Sequence, residues 1–191
     1  VLLSGPATVT IKEWMAPTLG SRPHDSHAAA DGSIWWTGQF ASKLGRLDPR
    51  TNQIREFDLP PNTQPHGLAE DAQGNIWYTG IQKGVIGKLD PKTGEVTEYP
   101  MPDPKARDPH SLHFDPSGIL WFTLQQSNMI GRLDPRIVRP EREGLLQVPG
   151  RRRLRPLLVE AEQRGALGLE VGRCRTRAGS GQGGNGEHDS A

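Results

Sequence analysis

PHGLAEDAQGNIWYTG, from Pro65 to Gly80, holds two short runs of strand-forming residues around the turn sequence DAQG. The same stretch returns twice. Pro23–Pro49 reads PHDSHAAADGSIWWTGQFASKLGRLDP, Pro65–Pro91 reads PHGLAEDAQGNIWYTGIQKGVIGKLDP, and Pro109–Pro135 reads PHSLHFDPSGILWFTLQQSNMIGRLDP. The three copies align over 27 residues without a gap, at offsets of 42 and 44. All begin with Pro-His and share a turn glycine (Gly32, Gly74, Gly118). Each then has Trp, a second aromatic residue and Thr, and ends in Gly, a basic residue and Leu-Asp-Pro. A repeat of 40–45 residues signals a unit that buries its apolar face only by stacking on its neighbours.

The second copy resolves into four strands. Gly67–Asp71 alternates and ends in DAQG; Asn75–Gly80 is rich in strand formers; Gly84–Asp90 follows a Gly-containing loop. DPKTG (90–94) is a turn, in which Pro presets one dihedral and Gly tolerates positive φ. Glu95–Met101 then alternates as a half-exposed strand does. No stretch of the first 135 residues shows a sustained helical period. Four strands per repeat predict an all-β fold, a β-propeller of four-stranded antiparallel blades; a β-sandwich, the alternative, needs no gapless repeat. The predicted blades span 23–61, 65–101 and 109–135, the last incomplete. Residues 8–15 read as an outer strand that pairs with a last blade. The two aromatics of each Trp-aromatic-Thr lie on opposite faces of one strand, so each packs against a neighbouring blade. The Asp of Leu-Asp-Pro is a turn cap.

The chain changes character near residue 135. All eleven aromatics and all six lysines precede that point, where the net charge is −3. The remaining residues, 136–191, carry eleven Arg against seven Asp and Glu, a net +4, with ten Gly and no aromatic. That composition buries little and reads as an irregular tail, disordered or translated out of frame. A basic linker with a short helix over 157–163 is the other reading, and RRRLR at 151–155 is a solvated run. The whole chain has 191 residues and a net charge of +1, which gives no electrostatic case for nucleic-acid or membrane binding. No run approaches the roughly 18 apolar residues of a membrane span. Cys174 is the only cysteine, which excludes intramolecular disulfides and Cys-based zinc sites. VLLSGPA (Val1–Ala7) resembles the end of a cleaved signal peptide, and the chain opens without Met, as a fragment or mature form would.

PHGL at 65–68, IWYT at 76–79, IGKLDPKTGEVTEYPMP at 86–102 and ILWFT at 119–123 together resemble the virginiamycin B lyase (streptogramin lyase) family. The resemblance runs from about Thr8 to Pro135. It implies a seven-bladed propeller of which about three blades are present, monomeric when full length. It also implies a Mg²⁺-dependent carbon–oxygen lyase that opens type B streptogramin antibiotics by elimination. The compartment it leaves open is bacterial cytoplasm or periplasm and exterior. The family's functional residues surround the central axis: histidines at the Pro-His position, acids just before that Pro, and an acid after Trp-aromatic-Thr. Its metal and base residues come mainly from late blades.

Carried over by position, His24, His66 and His110 are the candidate catalytic residues. Asp108 is the candidate metal ligand; Arg22 and Gln64 stand at its equivalents. His27 and His113 are secondary, substrate-binding candidates. The acid after Thr is replaced by Gly38, Gly80 and Leu124. Three histidines at one repeat position converge on one ring by pseudosymmetry, and neutral imidazole accepts a proton or binds a metal near pH 7. The competing reading makes each His a turn residue after Pro. At the level of function, the alternative to a lyase is a propeller that binds a small-molecule ligand at its mouth without chemistry. Gluconolactonase-like hydrolases are also propellers, but no matching ligand pattern is present.

Overall fold

The computed structural model describes residues 10–137 and 169–173. Twelve strands form three antiparallel sheets, each a meander of four. The first sheet comprises β1 (Pro23–Ala28), β2 (Ile34–Gly38), β3 (Lys43–Asp48) and β4 (Gln53–Asp58). The second comprises β5 (Pro65–Glu70), β6 (Ile76–Gly80), β7 (Val85–Leu89) and β8 (Val96–Pro100). The third comprises β9 (Pro109–Phe114), β10 (Leu120–Leu124), β11 (Met129–Leu133) and β12 (Leu169–Arg173). Strand β1 lies against β5 and β5 against β9, so the first strand of every sheet is innermost. This is a partial β-propeller; apart from one 3₁₀ turn at Gln125–Ser127, the described residues hold no helix.

The aromatic pairs glue the blades. Trp35 and Trp77 each stack on the outer strand of their own sheet, Trp35 on Phe57 at 5.4 Å and Trp77 on Tyr99 at 5.7 Å between centroids, and pack with residues of the following sheet, Trp35 with Leu68 and Ile76, Trp77 with Leu112 and Leu120. The second aromatic faces the preceding sheet: Tyr78 joins the core with Trp35, Leu44 and Leu68, and Phe122 joins the core with Trp77, Ile86 and Leu112. The ring of this second aromatic lies flat over the glycine opposite it in the ladder, Trp36 over Gly45, Tyr78 over Gly87 and Phe122 over Gly131. A Cβ on those glycines would stand 2.0, 2.0 and 2.1 Å from ring carbons. The repeated glycine is therefore a packing requirement. The Asp of each Leu-Asp-Pro closes its turn, accepting from the N–H two residues on (Arg50 at 2.9 Å, Lys92 at 2.8 Å, Arg136 at 3.1 Å).

Two expectations change. Residues 10–15 are not a strand; Lys12 and Trp14 instead donate to Asn52 Oδ1 in the β3–β4 turn, at 2.9 and 3.1 Å. A strand needs a ladder partner, and none of the described residues offers one there; Thr8 and Val9 lie outside the described residues. The tail is not irregular throughout, because Leu169–Arg173 pairs with β11, Leu133 opposite Leu169 and Met129 opposite Arg173. An edge strand presents a row of unpaired N–H and C=O groups that an extended segment can fill. The frame-loss reading, the 157–163 helix, RRRLR and Cys174 lie outside the described residues.

Candidate functional site

The site is built where each blade's innermost strand begins. The residue before Pro-His adopts positive φ in all three blades: 52° at Arg22, 47° at Gln64 and 61° at Asp108. Non-glycine residues seldom occupy that region. It turns the chain onto the axis, and each carbonyl is held by an N–H from the loop after the second strand (Gln39 at 3.2 Å, Ile81 at 3.3 Å, Gln125 at 3.0 Å). The entry displaces the register. Every innermost strand has an irregularity just after its Pro, spanning the histidine. A bulge of this kind re-aims a side chain and leaves a backbone group unpaired.

The Thr of Trp-aromatic-Thr takes up those groups. Thr37 Oγ1 accepts from Asp25 N–H at 3.0 Å, Thr79 Oγ1 from Gly67 N–H at 2.9 Å, and Thr123 Oγ1 from Ser111 N–H at 3.2 Å. The same hydroxyls reach the next blade: Thr37 donates to the His66 carbonyl at 2.9 Å and Thr79 to the His110 carbonyl at 2.6 Å. One side chain thus fills a bulge and fixes the backbone of the neighbouring histidine. Sequence reasoning read the Thr only as part of a strand; its repetition after both aromatics was the available signal.

The three imidazoles pack ring against ring, tilted to one another. His24 and His66 have centroids 3.9 Å apart at 47°, and His66 and His110 are 3.6 Å apart at 41°. His24 is exposed, His66 is 7 % exposed and His110 is half-buried. Burial of His66 lowers its pKa; repulsion from His110 and His24 adds to this, against the attraction of Asp25 and Asp108. It is therefore held neutral, the form that accepts a proton or a metal. Its Nδ1 is buried without a hydrogen-bond partner.

The carboxylate that joins the stack is Asp25. Its Oδ1 lies 2.9 Å from His24 Nδ1, and its Oδ2 lies 3.9 Å from His66 Nδ1. Asp108, the candidate metal ligand, acts on His66 through its charge but is outside the cluster of ligand atoms formed by His24, Asp25 and His66. Asp25 was missed because the repeat puts Gly67 and Ser111 at its position, so pseudosymmetry carried no acid there.

A groove of about 400 Å³ runs between β1, β5 and β9, lined by the residues that follow the three histidines. His27 and His113 both line it, with Asp25 and Glu70. Glu70 Oε2 lies 3.8 Å from His27 Nε2 and accepts from Ala30 N–H at 2.7 Å. The groove thus offers two imidazoles and two carboxylates beside apolar Leu68, Leu112 and Phe114. Gly38, Gly80 and Leu124, which replace the acid that the family resemblance implies, are all buried. A Cβ on Gly80 would stand 2.7 Å from Val85 Cγ2, so that position has no room for a carboxylate.

The donor set does not fit Mg²⁺. That ion takes oxygen ligands in near-octahedral geometry, and imidazole suits transition ions instead. The cluster of described residues supplies two imidazoles and one carboxylate.

Comparison with known proteins places these features in context. Residues 6–140 match the model of the virginiamycin B lyase family. A structure of catalytically inactive virginiamycin B lyase from Staphylococcus aureus, a histidine-to-alanine variant with quinupristin, is 31% identical with a TM-score of 0.62. The alignment covers 66% of this chain and 43% of that one. A streptogramin B lyase structure is 33% identical with a TM-score of 0.63, over 66% of this chain and 42% of that one. This chain therefore spans less than half the length of either structure. Hydrazine synthase from Kuenenia stuttgartiensis, 15% identical with a TM-score of 0.52 over 66% of this chain and 36% of that one, shares the fold alone. No curated protein sequence matches the chain.

Proposed function

The chain belongs to the virginiamycin B lyase family, and from that membership we propose that it forms the leading blades of a carbon–oxygen lyase acting on type B streptogramins. The observation that carries this reading is the ring-to-ring contact of His24, His66 and His110 beside a groove lined by the residues that follow them. In a relative, a histidine-to-alanine change accompanies loss of catalysis.

The chemistry asks for a base beside the carbon next to a carbonyl. An imidazole takes that proton, the electron pair forms a carbon–carbon double bond, the ester C–O bond breaks, and the carboxylate departs without water. General-base catalysis needs a pKa near the working pH, which imidazole has. His110 is the member best placed for it, half-buried at one end of the stack with Nδ1 3.3 Å from Ser111 Oγ. His27, His113 and Glu70 would hold the polar edges of a ligand in the groove, with Leu112 and Phe114 against its apolar parts. Mg²⁺, which the family implies, finds no matching donor set among the described residues.

The test is quinupristin incubated with the protein and analysed by mass spectrometry. Elimination gives a linear product of unchanged mass; hydrolysis adds one water. The expected result is the isomeric product, lost in His110→Ala while the melting temperature stays nearly constant, because the bond that joins the blades there goes to the His110 carbonyl, which the substitution keeps. A hydrated product, or full turnover by His110→Ala, overturns the reading.

A second reading is a ligand-binding propeller without lyase chemistry, favoured by the closed position at Gly80. Saturable quinupristin binding with no product distinguishes it.

A further inference from the structure

His24, Asp25 and His66 bring together one carboxylate and two imidazoles whose ligand atoms all lie within 4.8 Å of one another. We infer that they form a binding site for a divalent transition-metal ion of the Zn²⁺ type, at the junction of the first and second blades. The site does not depend on streptogramin chemistry and stands or falls separately from it.

The argument starts from an unmet demand. His66 Nδ1 is buried and makes no hydrogen bond. A buried polar atom without a partner costs free energy, so it calls for an explanation. The Asp25 Oδ2 carboxylate oxygen is 3.9 Å away, beyond hydrogen-bond reach. A proton does not bridge that gap, but a metal ion does. Zn²⁺ bonds to imidazole nitrogen and carboxylate oxygen at about 2.0–2.2 Å, which separates tetrahedral ligand atoms by about 3.3 Å. The cluster's spacings, 2.9 Å from His24 Nδ1 to Asp25 Oδ1 and 3.9 Å from His66 Nδ1 to Asp25 Oδ2, bracket that separation.

The surroundings suit such an ion. The His66 backbone is fixed through its carbonyl by Thr37, and the Asp25 N–H is fixed by the same hydroxyl. One residue therefore sets the spacing between two ligands, as supporting groups around metal sites do. The site is also singular. The second and third blades have Gly67 and Ser111 where the first has Asp25, so the repeat makes one such cluster and not three. Nitrogen donors in the majority select against Mg²⁺ and Ca²⁺ and for Zn²⁺, Ni²⁺ or Cu²⁺.

The experiment is calorimetric titration of chelator-treated protein with Zn²⁺, alongside the visible absorption spectrum with Co²⁺. The variants are Asp25→Asn and His66→Gln, each checked for fold by circular dichroism. Expected are one equivalent bound, Co²⁺ bands of a low-coordinate N/O site, and affinity reduced at least tenfold in each variant. A large excess of Mg²⁺ leaves Zn²⁺ bound. Asp25 is half-exposed, so its variant reports even if His66→Gln unfolds. No binding, displacement by Mg²⁺, or unchanged affinity in Asp25→Asn overturns the inference; the last would place the ion on another part of the chain.

Discussion

The hydroxyl of Thr79, in the second blade, donates to the backbone carbonyl of His110, in the third, at 2.6 Å, while accepting from Gly67 N–H at 2.9 Å. Thr37 does the same for His66 and Asp25. Thr79 is fully buried, whereas Thr123, its counterpart in the third blade, is exposed. Thr79→Val keeps the shape but strands a buried donor, the Gly67 N–H, and a partly buried acceptor, the His110 carbonyl, at about 1–3 kcal/mol for the buried group. Thr123→Val removes a solvated contact and should stay within about 0.5 kcal/mol. Urea denaturation of both variants checks the contrast.

A second prediction concerns the glycine under each ring. A Cβ at Gly87 would meet Tyr78 Cζ at 2.0 Å. Gly87→Ala should therefore destabilise by about 1–3 kcal/mol through overpacking. Pairing it with Tyr78→Leu should cost less than the two changes summed, because the smaller side chain relieves the clash. Additive losses in denaturant midpoints would mean that ring and glycine are not coupled.

The third compares two tryptophans at one repeat position. Trp77 is 2 % exposed and Trp121 is 43 % exposed. The face that the second blade gives to the third is covered, and the same face of the third blade is open at Trp121 and Ile130. Trp77→Ala should cost about 3–5 kcal/mol, as truncation of a buried aromatic does. Trp121→Ala should cost clearly less, in the same thermal or urea measurement. Both indoles donate to an Asp six residues earlier at 2.8 Å, so that bond cancels in the comparison.

The fourth is a pH dependence. The pKa of His66 is lowered on folding, first by burial and then by the neighbouring histidines. The folded state thus binds fewer protons than the unfolded state below about pH 6.5, the ordinary value for His. The stability it contributes is fully present above about pH 6.5 and is lost as the pH falls through the lowered value. The opposing groups are His24 and His110, and Asp25 and Asp108 soften the effect. Metal-free protein should lose stability as the pH falls below about 6.5, and His66→Gln should flatten that part of the profile. A wild-type curve as flat as the variant's would remove His66 as the cause.

The sequence by itself determined the blades. The gapless repeat from Pro23, Pro65 and Pro109, with its turn glycines and strand alternation, carries enough local information to specify sheets of four strands. Equal offsets in equal units then put His24, His66 and His110 in equivalent places, which is a consequence of symmetry and needs no coordinates. Tertiary structure decided what breaks or crosses that symmetry. Asp25 entered the cluster because it is unique to the first blade, and a repeat reveals only what its copies share. The role of Thr37 and Thr79 lies in bonds to another blade, across 29 and 31 residues, and no local pattern encodes a partner that distant. The orphaned Nδ1 of His66 and the exposure of Trp121 are likewise properties of neighbours. A side chain's burial and its pKa depend on what the rest of the chain packs around it, which residue order alone does not state.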